Sequence, residues 1–152
     1  MQLILASASP RRKALMGLFG LEFTVRAADT IVVCGGRILG KPKTGEEAAR
    51  MLRLLSGREH QVMTGCTVLR GDRAETFTEI TGLRFRELSE GEIRRYVASG
   101  EPMDKAGGYG IQGGAALFCE GLTGDYYNVM GLPVCRLLEA LQNIAPDVFA
   151  RE

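Results

Sequence analysis

The sequence carries the same helix-start pattern twice, and the two copies bracket a pair of strands. Thr44 with Glu47 and Ser89 with Glu92 each place a hydroxyl three residues before a glutamate. In that pattern the hydroxyl accepts a backbone N–H of the first turn and the glutamate reaches back to the cap, so both stretches predict helices. Ala48, Met51, Leu52 and Leu55 follow the first start on one helical face, and Gly57 closes it; Ile93, Tyr96 and Val97 follow the second, and Gly100 closes that. Between them Gln61 to Leu69 and Glu75 to Phe85 read as strands joined by a turn at Gly71-Asp72. They predict a long antiparallel pair, with Gly82 as a bulge. Helices alternating with strands around such a hairpin predict a mixed α/β domain.

The flanks extend this pattern. Leu3 to Ala6 is a short apolar run that reads as a buried strand, and Ser9-Pro10 is a helix start with Ser9 at the cap and Pro10 at the first helical position. Ala14, Leu15 and Leu18 give that helix its apolar stripe, and Gly17 and Gly20 end it. The stretch Leu21 to Val33 is anomalous: Phe23 and Val25 suggest one strand and Thr30 to Val33 another, with no turn between them. A parallel pair would need a crossover of roughly a dozen residues, so a segment is expected to be missing near Arg26-Ala27, either deleted or not represented. Gly35-Gly36 is a turn leading to Ile38-Leu39. Residues 104–114, DKAGGYGIQGG, form a glycine-rich loop; Ala115 to Cys119 reads as a strand and Gly121 to Gly131 as a second glycine-punctuated loop. Pro133 opens a last helix with Val134, Leu137, Leu138 and Leu141 inward, and residues 143–152 are expected to be a weakly ordered tail.

At 152 residues the chain can build a real core, and its net charge of +1 gives no global case for nucleic acid or a membrane surface. An anionic ligand must therefore be held by a local cluster. Glycine, at 20 residues, exceeds the usual share of about 7%, which points to tight turns or close backbone approaches to a ligand. Cys34, Cys66, Cys119 and Cys135 show no zinc-site spacing; the last three lie in apolar stretches and are expected to be buried thiols. The start is too short for a signal peptide and no apolar run approaches a membrane span of about 18 residues, so a cytoplasmic location is expected.

Two helix starts are basic. Arg11, Arg12 and Lys13 stand in the first turn after Ser9, where positive charge opposes the helix dipole unless an anion arrives, and Ser7 and Ser9 add hydroxyl donors. Lys41 and Lys43 stand in the turn before Thr44. Each is equally a solvated surface cluster when taken alone. Asp29, at the edge of an apolar run, suits a Mg²⁺ ion or an oriented water, and equally a local cap. Asp104 and Lys105 could pair with each other or face a ligand; Gln112 has an amide able to read a base edge; the lone His60 reads as structural. Together these residues point to phosphate chemistry.

The motifs identify a family resemblance. Leu5-Ala6-Ser7-Ala8-Ser9-Pro10-Arg11-Arg12, Ala28-Asp29-Thr30, Gly40-Lys41-Pro42, Gly100-Glu101-Pro102-Met103-Asp104-Lys105-Ala106-Gly107, Tyr109-Gly110-Ile111-Gln112-Gly113 and Gly131-Leu132-Pro133 occur in order along nearly the whole chain. In this the chain resembles the Maf proteins, nucleoside triphosphate pyrophosphatases also called septum formation inhibitors. The resemblance implies an α/β fold like that of the inosine triphosphatases, a mixed twisted sheet with flanking helices and two lobes around a nucleotide cleft. It implies hydrolysis of a nucleoside triphosphate to monophosphate and pyrophosphate with a divalent metal, Mg²⁺ or Mn²⁺, by a protein able to form a homodimer. Ser7, Ser9, Arg11 and Arg12 match the phosphate-binding start, Lys41 the triphosphate-contacting lysine, Asp29 the acid of metal binding or water activation, Lys105 a further substrate contact and Gln112 the base-selecting motif. The two late motifs are those of the dTTP/UTP branch, with Gly108 in place of the usual alanine.

Members of the family carry a further segment between the positions of Arg26 and Ala27, and with it an acidic pair and a lysine of the site. If this chain truly lacks it, the metal site is incomplete. That leaves a second class of function open, a nucleotide-binding regulator of division without turnover. A polyphosphate- or RNA-backbone-binding module is a third, opposed by the near-neutral charge and the absence of interleaved aromatics.

Overall fold

The predicted hairpin is the longest ladder in the computed structural model, which describes residues 10–19 and 27–149. Strand β3, Glu59–Arg70, pairs antiparallel with β4, Arg73–Phe85, from Glu59↔Arg84 to Arg70↔Arg73. Gly71 turns the corner at φ +61°, a conformation in which a Cβ is costly. Strand β1, Ala27–Cys34, pairs with β3 on one side and with the short β2, Arg37–Leu39, on the other; β5, Cys119–Thr123, closes the far side against β4. The described strands thus form an antiparallel sheet in the order β2-β1-β3-β4-β5. The strands predicted at Leu3–Ala6 and Phe23–Val25, the Ser9 cap and the Arg26 side of the join lie outside the described residues.

Along β3, His60, Val62, Thr64, Cys66 and Val68 alternate into the interior, as a half-buried strand requires. Two apolar clusters cover this face. Helix α1, Pro10–Met16, and helix α5, Val134–Ile144, bring Leu15, Leu137, Leu141 and Ile144 onto Cys66, Val68 and Phe77. Helix α2, Gly45–Leu55, and helix α3, Glu90–Ala98, bring Leu52, Leu55, Ile93 and Tyr96 onto Val32, Val62, Leu83 and Phe85. Between the clusters the buried residues are polar: Thr64, Thr81 and Asn128. Asn128, on helix α4, Tyr126–Met130, donates to Thr81 Oγ1 at 2.9 Å and to the Val62 carbonyl at 3.1 Å. These bonds bolt α4 to the sheet, and its far end reaches the polar strip.

The α3 start forms the complete reciprocal cap: Glu92 N–H donates to Ser89 Oγ and Ser89 N–H donates to Glu92 Oε2. At α2 the Thr44 half forms, but Glu47 accepts from Lys43 N–H, one residue before the cap.

Other expectations need correction. Gly82 stays in register with both Gln61 and Thr123; the irregularity falls between Arg84 and Phe85 against β5. Ala115 to Cys119 is mostly a 3-10 turn, Gly114–Leu117, and the strand runs on to Thr123. Its Cys-Glu-Gly-Leu-Thr sequence has no apolar alternation, and its pairing with the end of β4 decides its form. The stretch expected as a loop from Gly121 to Gly131 holds part of β5 and α4. The expected tail contains helix α6, Pro146–Phe149, held because Arg70 donates twice to the Asp147 carboxylate while Arg73 donates to the carbonyls of Asn143 and Ile144. Cys66 is buried as expected, but Cys119 is only half-buried and Cys135 is exposed on the outer face of α5.

Candidate active site

A cleft of about 650 Å³ opens where Thr30 and Val32 of β1, Val62 of β3 and the end of α4 at Met130 and Gly131 come together. Arg11, Arg12, Asp29, Lys41, Lys105 and Gln112 all line it, brought from the start of α1, the start of β1, the turn after β2 and the loops after α3. Ser7 and Ser9 lie outside the described residues. Glu101 and Asp104 also line the cleft, so its four basic side chains face three acidic ones. Asp104 pairs with Lys105 at 2.6 Å. The unbalanced positive charge therefore lies toward Arg11, Arg12 and Lys41.

Arg12 is bound as much to the protein as to the cleft. Its Nε donates to the Gly131 carbonyl at 2.7 Å and its Nη2 to Thr30 Oγ1 at 2.9 Å, and that hydroxyl lies 2.9 Å from Thr64 Oγ1. Burial lowers the Arg12 pKa from its ordinary value, an effect opposed by Cys66 and Asp29 and reinforced by Arg11. An arginine nevertheless stays charged in a protein, so a cation is held at the cleft floor. Arg11 is half-buried beside it, with its Nε buried and unbonded among the described residues. Asp29 is exposed at the cleft wall, where its Oδ1 accepts the Thr30 N–H at 2.9 Å.

The Lys41 turn is fixed to the loop after α3 by Gly107 N–H, which donates to the Gly40 carbonyl at 3.0 Å. Gly107 has φ +72°, and a Cβ there would lie 2.8 Å from Val32 Cγ2, so this approach needs glycine. Lys105 Nζ donates to the Glu101 carbonyl at 2.7 Å as well as to Asp104 Oδ1, which lowers the Asp104 pKa. Lys105 is thus paired with Asp104, and it lines the cleft as well. Gln112 is exposed on the rim. His60 is structural, as read: it is 3% exposed, its Nε2 is 2.8 Å from Tyr109 Oη, and burial lowers its pKa to about 4, so the ring is neutral.

Sequence reading passed over Thr30, Tyr96 and Glu101 as site residues. Thr30 links Arg12 to the sheet, while Tyr96 and Glu101 bond to the glycine loop. Thr30 and Glu101 stood within the quoted motifs, but nothing in residue type alone marked them; Tyr96 was read only as a core position.

The described residues contain no cluster of three or more His, Cys, Asp or Glu side chains placed to hold a metal. Nor is any described helix long and apolar enough to cross a membrane.

Comparison with known proteins gives the family. A family model described as Maf-like protein matches residues 24–144. A dTTP/UTP pyrophosphatase of Bacillus pumilus (strain SAFR-032) is 43% identical, over 97% of this chain and 99% of its own. One of Geobacillus sp. (strain WCH70) is 44% identical, over 94% and 98%, and one of Moorella thermoacetica (strain ATCC 39073 / JCM 9320) 41%, over 99% and 98%. With four-fifths of its length matched by the family model and relatives 41–44% identical along nearly their whole length, the chain belongs to the Maf family.

Proposed function

We propose that this chain hydrolyses pyrimidine nucleoside triphosphates, dTTP and UTP, to the monophosphate and pyrophosphate. The observation that carries the reading is the convergence of Arg11, Arg12, Asp29, Lys41, Lys105 and Gln112 on one cleft. Its volume lies within the roughly 300–1,000 Å³ of small-molecule sites. The relatives named dTTP/UTP pyrophosphatase support the substrate class. The two apolar clusters on either side of the polar strip are the two lobes of this reading, and the nucleotide lies between them.

In the reaction water adds to the α-phosphorus, the bond from that phosphorus to the bridging oxygen breaks, and pyrophosphate leaves. Arg11, Arg12 and Lys41 offset the charge that grows on the phosphate oxygens, and Lys105 completes the set from the opposite wall. Asp29 orients the attacking water and accepts its proton. Gln112, with two amide donors and a carbonyl acceptor, contacts the base edge. Ser7 and Ser9 belong to the same phosphate-binding motif.

A divalent cation, Mg²⁺ or Mn²⁺, fits Asp29 as a single carboxylate ligand, because Mg²⁺ sites of this kind use one or two carboxylates with substrate phosphates and water. Bound there it would neutralise phosphate charge. The segment expected to be missing belongs, on this proposal, at the Arg26-Ala27 join of a single domain.

The break in the strand pattern at Arg26-Ala27 favours a second reading, a nucleotide-binding regulator without turnover. A product assay decides between the two: UTP and dTTP with Mg²⁺ or Mn²⁺, resolving monophosphate plus pyrophosphate from diphosphate plus phosphate. Monophosphate and pyrophosphate support the enzyme; binding without product supports the regulator.

A further inference from the structure

The glycine loop that carries Gln112 is fastened at both ends by one side-chain relay. Gly110 N–H donates to Tyr96 Oη at 3.0 Å, the Tyr96 hydroxyl donates to Glu101 Oε1 at 2.8 Å, and Glu101 Oε2 accepts from Gly114 N–H at 3.0 Å. Tyr96 is 6% exposed within the core formed by α2 and α3, so its hydroxyl is a fixed point. Glu101 opens the 3-10 turn after Gly100 and lines the cleft. The loop closes over the carboxylate so tightly that a Cβ on Gly113 would lie 2.1 Å from Glu101 Oε1. A Cβ on Gly110 would lie 2.7 Å from Lys105 Cε. Between the two tethered amides only Ile111, Gln112 and Gly113 remain, and Gln112 is the one whose side chain can both donate and accept.

A segment this rich in glycine has many backbone conformations to lose on ordering. Two amide bonds to one half-buried relay restrict them before a ligand arrives. We propose that Tyr96 and Glu101 are positioning residues for base selectivity: by holding Gly110 and Gly114 they fix where Gln112 meets the nucleobase. This rests on the reading of Gln112 as the base contact. Neither side chain needs to touch a reacting atom.

The test uses the full chain and two readouts. The first is the ratio of affinities for UTP and GTP by equilibrium titration, with kcat and KM where turnover is measurable. The second is amide hydrogen exchange at residues 109–114. Tyr96→Phe removes the hydroxyl from the relay. Glu101→Gln keeps one acceptor and presents an amide donor to the other of the two partners, the Tyr96 hydroxyl or the Gly114 N–H, and Glu101→Ala removes both acceptors. Gly113→Ala is an independent variant that should expel the carboxylate.

The expected result is a graded loss of the UTP preference, smallest in Glu101→Gln and roughly tenfold in Glu101→Ala, the scale of one net hydrogen bond. The loss falls on KM more than on kcat, and exchange at Gly110 and Gly114 accelerates while β3 and β4 stay protected. Variants that weaken UTP and GTP equally, or that loosen the loop without changing the preference, would overturn the proposal. Gln112→Ala separates it from the reading beneath it. If Gln112→Ala abolishes the preference and the relay variants do not, the relay proposal fails alone. If the relay variants act and Gln112→Ala does not, the base contact assigned to Gln112 fails. If none acts, or the parent chain shows no preference, both fail.

Discussion

Arg12 Nε donates to the carbonyl of Gly131 at 2.7 Å, joining residues 119 apart in sequence. The same guanidinium reaches Thr30 on β1. One side chain therefore gathers the first helix, the sheet and the turn after α4 at the cleft floor. Lysine keeps the charge but cannot bridge two acceptors in a fixed plane. Arg12→Lys is expected to cost about 1.5–3 kcal/mol of stability, the scale of hydrogen bonds from a charged donor, and to weaken nucleotide binding beyond what the lower stability explains. Urea unfolding and a UTP titration on the same preparation check both halves.

Gly107 permits the contact between the Lys41 turn and the loop after α3. With φ +72° and Val32 Cγ2 2.8 Å from where a Cβ would stand, Gly107→Ala has both a backbone and a packing cost. The left-handed backbone alone is worth on the order of 1–3 kcal/mol. The variant is expected to unfold at lower urea concentration with the slope unchanged, and to bind UTP less well because Lys41 loses its anchor. Gly35→Ala, at φ +55° but with nothing within 4 Å of its Cβ position, should carry the backbone cost without the loss of binding.

His60 gives the fold a dependence on acid. Its folded pKa of about 4 lies below the ordinary 6.5 because burial disfavours the imidazolium. Above pH 6.5 the ring is neutral in both states and stability is unaffected. As pH falls from 6.5 toward 4 the unfolded chain takes up a proton that the folded chain refuses, so folding loses stability, on the order of 3 kcal/mol by pH 4. Chemical denaturation at pH 7, 6, 5 and 4 should show this decline, and His60→Gln should lack its share of it. Identical slopes in parent and variant would remove His60 as the cause.

The sequence made legible what local chemistry controls. The α3 cap, the hairpin turn at Gly71 and the inward faces of α2 and α3 need only neighbours in the chain and were readable. Helix α5, in contrast, buries Ala140 and Ile144 with Leu137 and Leu141 in place of the expected Leu138, and α1 buries Leu15 and Met16 with Ala14 and Leu18 exposed. The candidate cleft residues were named through motifs, yet their convergence is a tertiary fact. Glu101 escaped notice because its partners, Tyr96 and Gly114, are 5 and 13 residues away and carry no pattern that pairs them. The same holds for α6, which exists because Arg70, 77 residues earlier, grips Asp147. Strand β5 was misplaced because its form is decided by the free edge of β4 and not by its own composition.

Asp29 tests the chemistry itself. Its Oδ1 accepts the Thr30 N–H, a role that the amide oxygen of asparagine can keep, so Asp29→Asn should preserve β1 and alter stability by no more than about 0.5 kcal/mol, as for other exposed positions. What asparagine cannot do is accept the proton of the attacking water or ligate a hard cation as strongly. The expected outcome is UTP affinity near that of the parent chain with turnover reduced by roughly 10²–10⁴, the usual contribution of a positioned acid or base. Single-turnover formation of monophosphate and pyrophosphate from UTP, compared with nucleotide binding in the same variant, measures the two effects separately. Parent-like turnover in Asp29→Asn would remove the residue from the mechanism and move the search for the base to the other carboxylates of the cleft, Glu101 and Asp104.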